Sequence, residues 1–373
     1  MAGMSSQNTP PRPYASQSTL AKAAGLSRLT VNKALKGDPI VSLQTRNRVA
    51  ELAAQVGYRP NAAARSMRTR RTRQIGAVYL NEPNRVATAP HNHYLIAGVN
   101  AGLEQAGYVL CLVRATDVAG ENDGAGSRVF RERILDGVVV LNAIDVEVER
   151  RIEKLVPAVV WADTNHWREA LCVRRDEVHA GKIAADALIS GGARRIVWIG
   201  ADHVTRPEGD HYSFMQRRQG AKAAVDAAGV EWREISILPE YTTEGHREIR
   251  QFISPCEPEA RFGLLAYDGV YRASQILNVA MLERRVVGLD FSLAACDDTP
   301  LLSDQLPWLS RVEFDRQALG MRAAAMILKR LDGENESCLS ELHRDRLIAG
   351  STSVLLKPGQ GRGGFPIPEE EML

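Results

Sequence analysis

Residues 18–68 read STLAKAAGLSRLTVNKALKGDPIVSLQTRNRVAELAAQVGYRPNAAARSMR and leave the amino-terminal end little choice of fold. They spell three short helices and a fourth that begins at a proline, Pro60. Thirteen of the first 75 residues are Lys or Arg and only Asp38 and Glu51 are acidic, a charge of about +11. The whole 373-residue chain carries only +2, so the remainder stands near −9. A small, strongly basic helical unit joined to a large acidic body points to nucleic acid for the first and a separate task for the second.

The local chemistry is that of a helix-turn-helix. Thr19 or Ser18 is placed to cap the first helix, where a side-chain oxygen accepts from an orphan backbone N–H. Leu20, Ala21, Ala23 and Ala24 are its apolar residues, and the small ones among them permit close approach of a second helix; Gly25 supplies the turn. Ser27 caps the second helix, with Val31, Ala34 and Leu35 as its inner face. Arg28, Leu29, Asn32 and Lys33 then project where a major groove would lie. Ser42 starts the third helix, Val49, Leu52, Ala53 and Val56 form its inner stripe, and Gly57 stops it. The same charges would suit the solvated faces of an ordinary bundle, but turn glycine, caps and basic outer face agree on DNA.

The elements AKAAGLS, Thr30-Val31, VSLQTRNRV, GYRPN and AAARSM follow one another without gaps. In these the segment resembles the DNA-binding headpiece of the lactose-repressor/galactose-repressor family of bacterial transcription regulators. The likeness extends more loosely to about residue 356. The resemblance implies that Arg28 and Leu29 read base edges, the first by a bidentate bond to guanine and the second by apolar contact with a thymine methyl. Ser27 and Thr30 would hold phosphates, with Thr19 also among the DNA-binding residues. Asn32-Lys33 stands where the family commonly has Ser-Arg, and Lys keeps the charge without Arg's planar fork. The fourth helix, from Pro60-Asn61 through Met67, would be a hinge helix. Asn61, Ala64 and Met67 would touch DNA, and Met67, where Leu is usual, would wedge between minor-groove base pairs. Alone, such a short helix is unstable in water, so it folds when paired with a partner's copy on DNA. Arg68–Arg73 is a basic linker.

From Gln74 onward, short apolar runs alternate with helices. Examples are IGAVYL (75–80), HYLIAGVNAGLEQAG (93–107), GVVVL (137–141), PAVVWA (157–162), RRIVWIG (194–200) and FGLLA (262–266). This pattern predicts parallel sheets covered on both faces, and the length calls for two lobes. The expected fold is therefore a small all-α helix-turn-helix headpiece with a hinge helix, followed by a two-lobed α/β effector domain. The resemblance implies a periplasmic-binding-protein-like arrangement for that domain, with three crossovers near 175, 309 and 339. The predicted limits are a disordered arm over 1–17, the headpiece over 18–59, hinge helix and linker over 60–73, effector domain over 74–356 and a flexible tail over 357–373. Within the effector domain, the N-lobe takes about 74–175 plus 310–338 and the C-lobe about 176–309 plus 339–356.

Carried over motif by motif, the resemblance places Arg217, three residues before Gly220, as a ligand-gripping arginine, and Asp297, in ACDDTP, as an acceptor of sugar hydroxyls. Asp268, after Tyr267 where Asn is frequent, is the acidic member of a further pair. Asp163, Ser213 and Asn142 are additional candidates, and Tyr94 and Trp161 offer apolar faces to a sugar ring. For each there is a plainer role: a loop cap for Asp297, a surface charge for Arg217, a core position for Trp161.

Other chemistry leaves little trace. Cys111, Cys172, Cys256, Cys296 and Cys338 are scattered without CxxC spacing, as thiols of a reducing cytosol would be. No metal spacing, phosphate-cradling GxxxxGK[ST], nucleophile elbow, signal peptide or membrane-spanning run is present, and no cofactor is implied. The reading is a cytoplasmic homodimer that binds a pseudo-palindromic duplex operator, regulated by a sugar-like small molecule and not an enzyme. A solute-binding protein would share the lobes but lack residues 18–68. An enzyme would need a catalytic constellation.

Overall fold

The computed structural model describes residues 15–79, 90–115, 118, 128–142, 144–201, 211–237, 243–254, 261–298, 305–334 and 338–355. They form two compact units, one ending at Thr72 and the other beginning at Arg73.

The first unit holds α1 (Gln17–Ala24), α2 (Arg28–Leu35), α3 (Leu43–Gln55) and α4 (Ala62–Thr69). Helices α1, α2 and α3 each start with the same device. The hydroxyls of Ser16, Ser27 and Ser42 accept from the backbone N–H groups of Thr19, Thr30 and Thr45 at 3.1, 3.0 and 3.2 Å. The threonine hydroxyls bond back to the same serines at 2.8–2.9 Å. The first cap is thus Ser16, not Thr19 or Ser18; Thr19 lies one turn in, and its N–H is the group being capped. Residues 15–17, expected in the arm, belong instead to the helical unit, since Ala15 bridges to Tyr58 and Ser16 caps α1; residues 1–14 lie outside the described residues. Gly25 and Gly57 take φ of +65° and +66° where α1 and α3 end, a conformation that a Cβ would oppose. Leu20, Ala21, Ala24, Val31, Ala34, Val41, Val49 and Ala53 form the core. Ala23 and Leu35, expected inside, are exposed: each lies three or four residues from a buried one but at the edge of the stripe that Leu20, Ala21, Ala24, Val31 and Ala34 bury.

In the second unit the N-lobe sheet contains β1 (Gln74–Tyr79), β2 (Val109–Arg114), β3 (Gly137–Leu141), β4 (Val159–Ala162), β5 (Cys172–Arg175) and β11 (Glu341–His343), in the order β11-β5-β4-β3-β1-β2. Every pairing in it is parallel. The C-lobe sheet contains β6 (Arg195–Ala201), β7 (Glu231–Ile237), β8 (Phe262–Ala266), β9 (Ser292–Ala295), β10 (Ser310–Glu313) and β12 (Arg346–Ile348), in the order β12-β10-β9-β8-β6-β7. It is parallel except for the antiparallel pair β10–β12. The helices of the N-lobe are α5 (Pro90–Gln105), α6 (Arg128–Arg131) and α7 (Val146–Leu155), joined by α12 (Arg316–Leu331). Those of the C-lobe are α8 (Glu177–Ser190), α9 (Tyr212–Ala228), α10 (Thr243–Ile253) and α11 (Ser274–Leu282).

The chain crosses between lobes at Asp176, at 314–315 and at 344–345. The second and third crossings differ from those expected near 309 and 339. Strand β10 pairs with β9 and so belongs to the C-lobe, and β11 pairs with β5 and belongs to the N-lobe. Strands this short, with charges alternating along them, do not reveal their neighbours; backbone pairing alone assigns them. The expected tail over 357–373 and the end of the expected strand at Leu80 lie outside the described residues.

In each lobe one helix pair meets backbone to backbone. A Cβ built on Gly98 of α5 would lie 2.0 Å from the carbonyl oxygen of Gln317 in α12, and one on Gly320 would lie 2.2 Å from that of Leu95. The C-lobe repeats the device: Gly181 of α8 against Arg217 O at 1.9 Å, and Gly220 of α9 against Val178 O at 1.9 Å. Substitution of Gly98 by Ala is expected to cost about 1–3 kcal/mol, because a helix carbonyl cannot retreat as a side chain can. Urea unfolding checks this, with a lowered midpoint at unchanged slope.

Candidate functional site

In the helical unit, the outer face of α2 carries the residues expected at DNA. Arg28 and Leu29 are exposed, Leu29 to 68%, and Thr30, Asn32 and Lys33 are half-buried. An exposed leucine beside an exposed arginine at the first turn of a capped helix is an apolar and a forked contact offered together. Ser27 and Thr30 are tied to each other by their hydroxyls, and Thr19 is tied to Ser16, so these side chains also set the helix starts. In α4, Asn61 is the N-cap, accepting from Ala64 N at 3.2 Å; Pro60 precedes the helix and does not open it. No residue of α4 is buried, and Met67 is 87% exposed.

In the second unit, three of the expected effector residues meet. Arg217 lies inside α9 and is 1% exposed. Its Nε donates to Glu177 Oε2 at 2.5 Å, its Nη2 to Glu177 Oε1 at 2.9 Å and to Asp297 Oδ2 at 2.8 Å, and its Nη1 to the Tyr267 carbonyl at 2.9 Å. Asp297, just past β9, also accepts from Arg316 Nη2, and from Arg175 Nη1 at 3.3 Å. Arg175, the last residue of β5, reaches Asp163 Oδ1 at 3.0 Å and Glu177 Oε1 at 2.9 Å. Three guanidiniums (Arg175, Arg217, Arg316) thus interlock with three carboxylates (Asp163, Glu177, Asp297), all buried. The ring of Phe314 lies 4.8, 5.7 and 5.6 Å from the three guanidinium carbons. Buried charges are tolerable only when paired this fully.

Asp163 has φ of +59° and is clasped by the start of α9: Tyr212 Oη donates to its carboxylate at 2.5 Å, and His211 Nε2 donates to its carbonyl at 2.9 Å. Burial opposes the charge on Asp163, but the attraction of Arg175, helped by the Tyr212 hydrogen bond, outweighs it and holds the carboxyl below its usual range. Because the Asp163 carbonyl can only accept, His211 Nε2 carries the proton. Nδ1 therefore accepts from Ser213 Oγ at 2.8 Å, and Ser213 Oγ in turn accepts from Tyr267 Oη at 2.7 Å. Ser213 thereby joins the cluster through His211.

The other candidates are placed differently. Asp268 does not face Arg217; it caps the turn before α11, accepting from Tyr271 N at 2.7 Å, and pairs with Arg272 Nη1 at 2.6 Å. Trp161 is a core residue, 3% exposed and stacked on His166 at 4.1 Å. Alternation along β4 sends Val160 and Ala162 to the face covered by α5 and α12 and turns Trp161 to the face covered by α7. Asn142, with φ of +59°, bonds Asn92 through its side-chain amide, and half-buried Tyr94 stands edge-on to His93 at 5.4 Å. Sequence reasoning missed Arg175, Glu177, Phe314, Arg316 and the His211–Tyr212 pair.

Burial pushes the His211 imidazole below its ordinary value, with Arg175 adding to this and Asp163 opposing it. The folded protein therefore binds fewer protons than the unfolded chain once the pH falls below about 6.5. Stability contributed by neutral His211 is full above that pH and declines as pH drops, with a slope of at most about 1.4 kcal/mol per pH unit. The His211→Gln variant is expected to lose that part of the slope below about pH 6.5. Urea midpoints measured across the range check it.

Among the described residues, no group of three or more His, Cys, Asp or Glu is placed to hold a metal, and no helix is long and apolar enough to cross a membrane.

Comparison with known proteins adds the following. Residues 19–61 match the family described as bacterial regulatory proteins, lacI family, and residues 185–353 match the periplasmic binding protein-like domain. The HTH-type transcriptional regulator CelR of Thermobifida fusca is 26% identical over 84% of this chain and 91% of its own length. The HTH-type transcriptional regulator AglR of Rhizobium meliloti is 27% identical over 95% and 97%. Among solved structures, the lac repressor dimer bound to operator and the anti-inducer ONPF superposes with a TM-score of 0.70 at 16% identity, covering 92% of this chain and all of that one. A complex of the regulator CelR with cellobiose gives 0.59 at 21%, covering 91% and 99%.

Proposed function

We infer that this chain, a member of the lacI family of bacterial regulatory proteins, represses transcription by holding an operator whose affinity a small molecule adjusts. The observation that carries the reading is the capped helix α2, which offers Arg28 and Leu29 outward on a basic unit while a separate two-lobed unit holds a polar cluster at its lobe crossings. The protein works as a cytoplasmic homodimer. Two helix-turn-helix units read successive half-sites of a pseudo-palindrome, paired α4 helices enter the minor groove between them, and Met67 wedges the base step.

The effector is a sugar or sugar derivative held between the lobes, where Arg217, Asp297 and Asp163 already converge. Fixed guanidinium donors and carboxylate acceptors suit vicinal hydroxyls. Ligand binding reorients the N-lobes and changes the spacing of the two α4 helices. DNA and effector consequently alter each other's affinity by equal factors. The similarity of the lobes to a solute-binding protein's does not extend to the helical unit, and the relatives are regulators, not enzymes.

Replacing Arg28 by Ala is expected to weaken operator binding by about 1–3 kcal/mol and to relax sequence preference at one position of each half-site. Selection of binding sites from random duplexes, at one fixed salt concentration, reads out both effects. Unaltered preference would take Arg28 out of base reading.

A further inference from the structure

Arg175 stands where its strand should be apolar. Along β5 the residues on either side of half-buried Arg174 are buried, and Arg175 closes the strand at 6% exposure. Its guanidinium touches a carboxylate from each lobe: Asp163, after N-lobe β4, at 3.0 Å, and Asp297, after C-lobe β9, at 3.3 Å. Glu177, the first residue of C-lobe α8, adds a third contact at 2.9 Å, and the Phe314 ring lies 4.8 Å from the guanidinium carbon. The backbone N–H of Arg175 also donates to Tyr212 Oη at 3.0 Å, and the same hydroxyl bonds Asp163. A side chain that pairs with carboxylates of both lobes ties the two together as a ligand between them would.

The charge balance says what could replace it. Arg217 and Arg316 are already committed to Glu177 and Asp297. Three cations meet three anions; without the Arg175 head, one negative charge remains in a buried space with an aromatic wall. A neutral hydroxyl leaves that charge standing, whereas a positively charged nitrogen cancels it and gains the ring face as well.

We propose that Arg175 is the cleft's internal occupant, latching the lobes when no effector is present, and that the subsite it fills is selective for a cationic nitrogen on the incoming molecule. The second half rests on the reading of the cleft as the effector site; the latch does not.

Chemical rescue of the full-length Arg175→Ala protein tests it. Amide exchange in residues 163–168 and 211–213 is expected to lose protection, and the melting temperature to fall. Millimolar methylguanidinium should restore both, and methylurea, alike in shape but uncharged, should restore neither. Protection equal to the unaltered protein, or equal rescue by methylurea, overturns the proposal. Should Arg175→Ala not fold, Asp163→Asn weakens the N-lobe anchor together with the Tyr212 contact, and Tyr212→Phe is its control; Asp163→Asn is expected to deprotect the same two segments more than Tyr212→Phe does, and equal or undisturbed protection overturns the latch. In the unaltered protein, amino sugars are expected to raise the melting temperature more than their neutral parents, and the reverse order overturns the cationic subsite. If sugars of neither kind shift it while methylguanidinium still rescues the variant, the effector reading and the cationic selectivity resting on it fall, and the latch stands.

Discussion

Replacing Arg217 by methionine should lower the unfolding free energy by about 3–5 kcal/mol. The methionine fills much of the volume, so the loss is electrostatic in origin and not a cavity effect. Glu177 is fully buried and loses its bidentate partner, while Asp297 is left to Arg175 and Arg316. Because Glu177 would keep only the single Arg175 contact at 2.9 Å in place of three, the double variant Arg217→Met/Glu177→Leu should recover most of the loss, as buried pairs replaced together by apolar groups often do. Urea denaturation of both variants measures this. Equal destabilisation in the two would mean that shape rather than charge decides the site.

The Ser66→Pro variant should reduce operator affinity by about 3 kcal/mol, roughly a hundredfold, with the melting of the two-lobed unit unchanged. Ser66 lies in the interior of α4, where proline removes a backbone donor and its ring meets the carbonyl four residues earlier. The eight-residue helix buries none of its own residues, so nothing else within the free chain compensates. Fluorescence anisotropy with a labelled operator gives the affinity, and calorimetry gives the melting. Undiminished affinity would show that α4 need not be helical in the bound state.

The helical unit was legible in the sequence because its signals are local. Ser27, Ser42, Gly25 and Gly57 each act within one turn, so a linear reading finds them. Even there, the first cap was misplaced by two or three residues, since Ser16, Ser18 and Thr19 are all competent and only the pairing of Ala15 with Tyr58 selects among them. Parallel sheets were legible from runs such as GVVVL and FGLLA, whose residues are all buried. The polar cluster was only half legible. Arg217 and Asp297 came from resemblance, but RRDE at 174–177 reads locally as a solvated charge run. Arg175 and Glu177 become interior only because the chain changes lobes between them, a property of topology and not of the segment. Trp161 shows the opposite failure: an aromatic near a strand end suggested a ligand face, and strand alternation turned it into the core.

The pairing of three guanidiniums with three carboxylates away from water separates this protein's two charged regions in their response to the medium. Mobile ions screen exposed charges over roughly 8 Å at physiological strength, and they cannot enter a dry, balanced cluster. A basic DNA-binding face, by contrast, grips its duplex through counterion release, which is steeply weakened by added electrolyte. Added electrolyte would therefore loosen the grip on DNA while leaving the buried polar cluster between the lobes nearly unaffected. The regulator's hold on its duplex would follow the ionic strength, and the interior of its two-lobed unit would not.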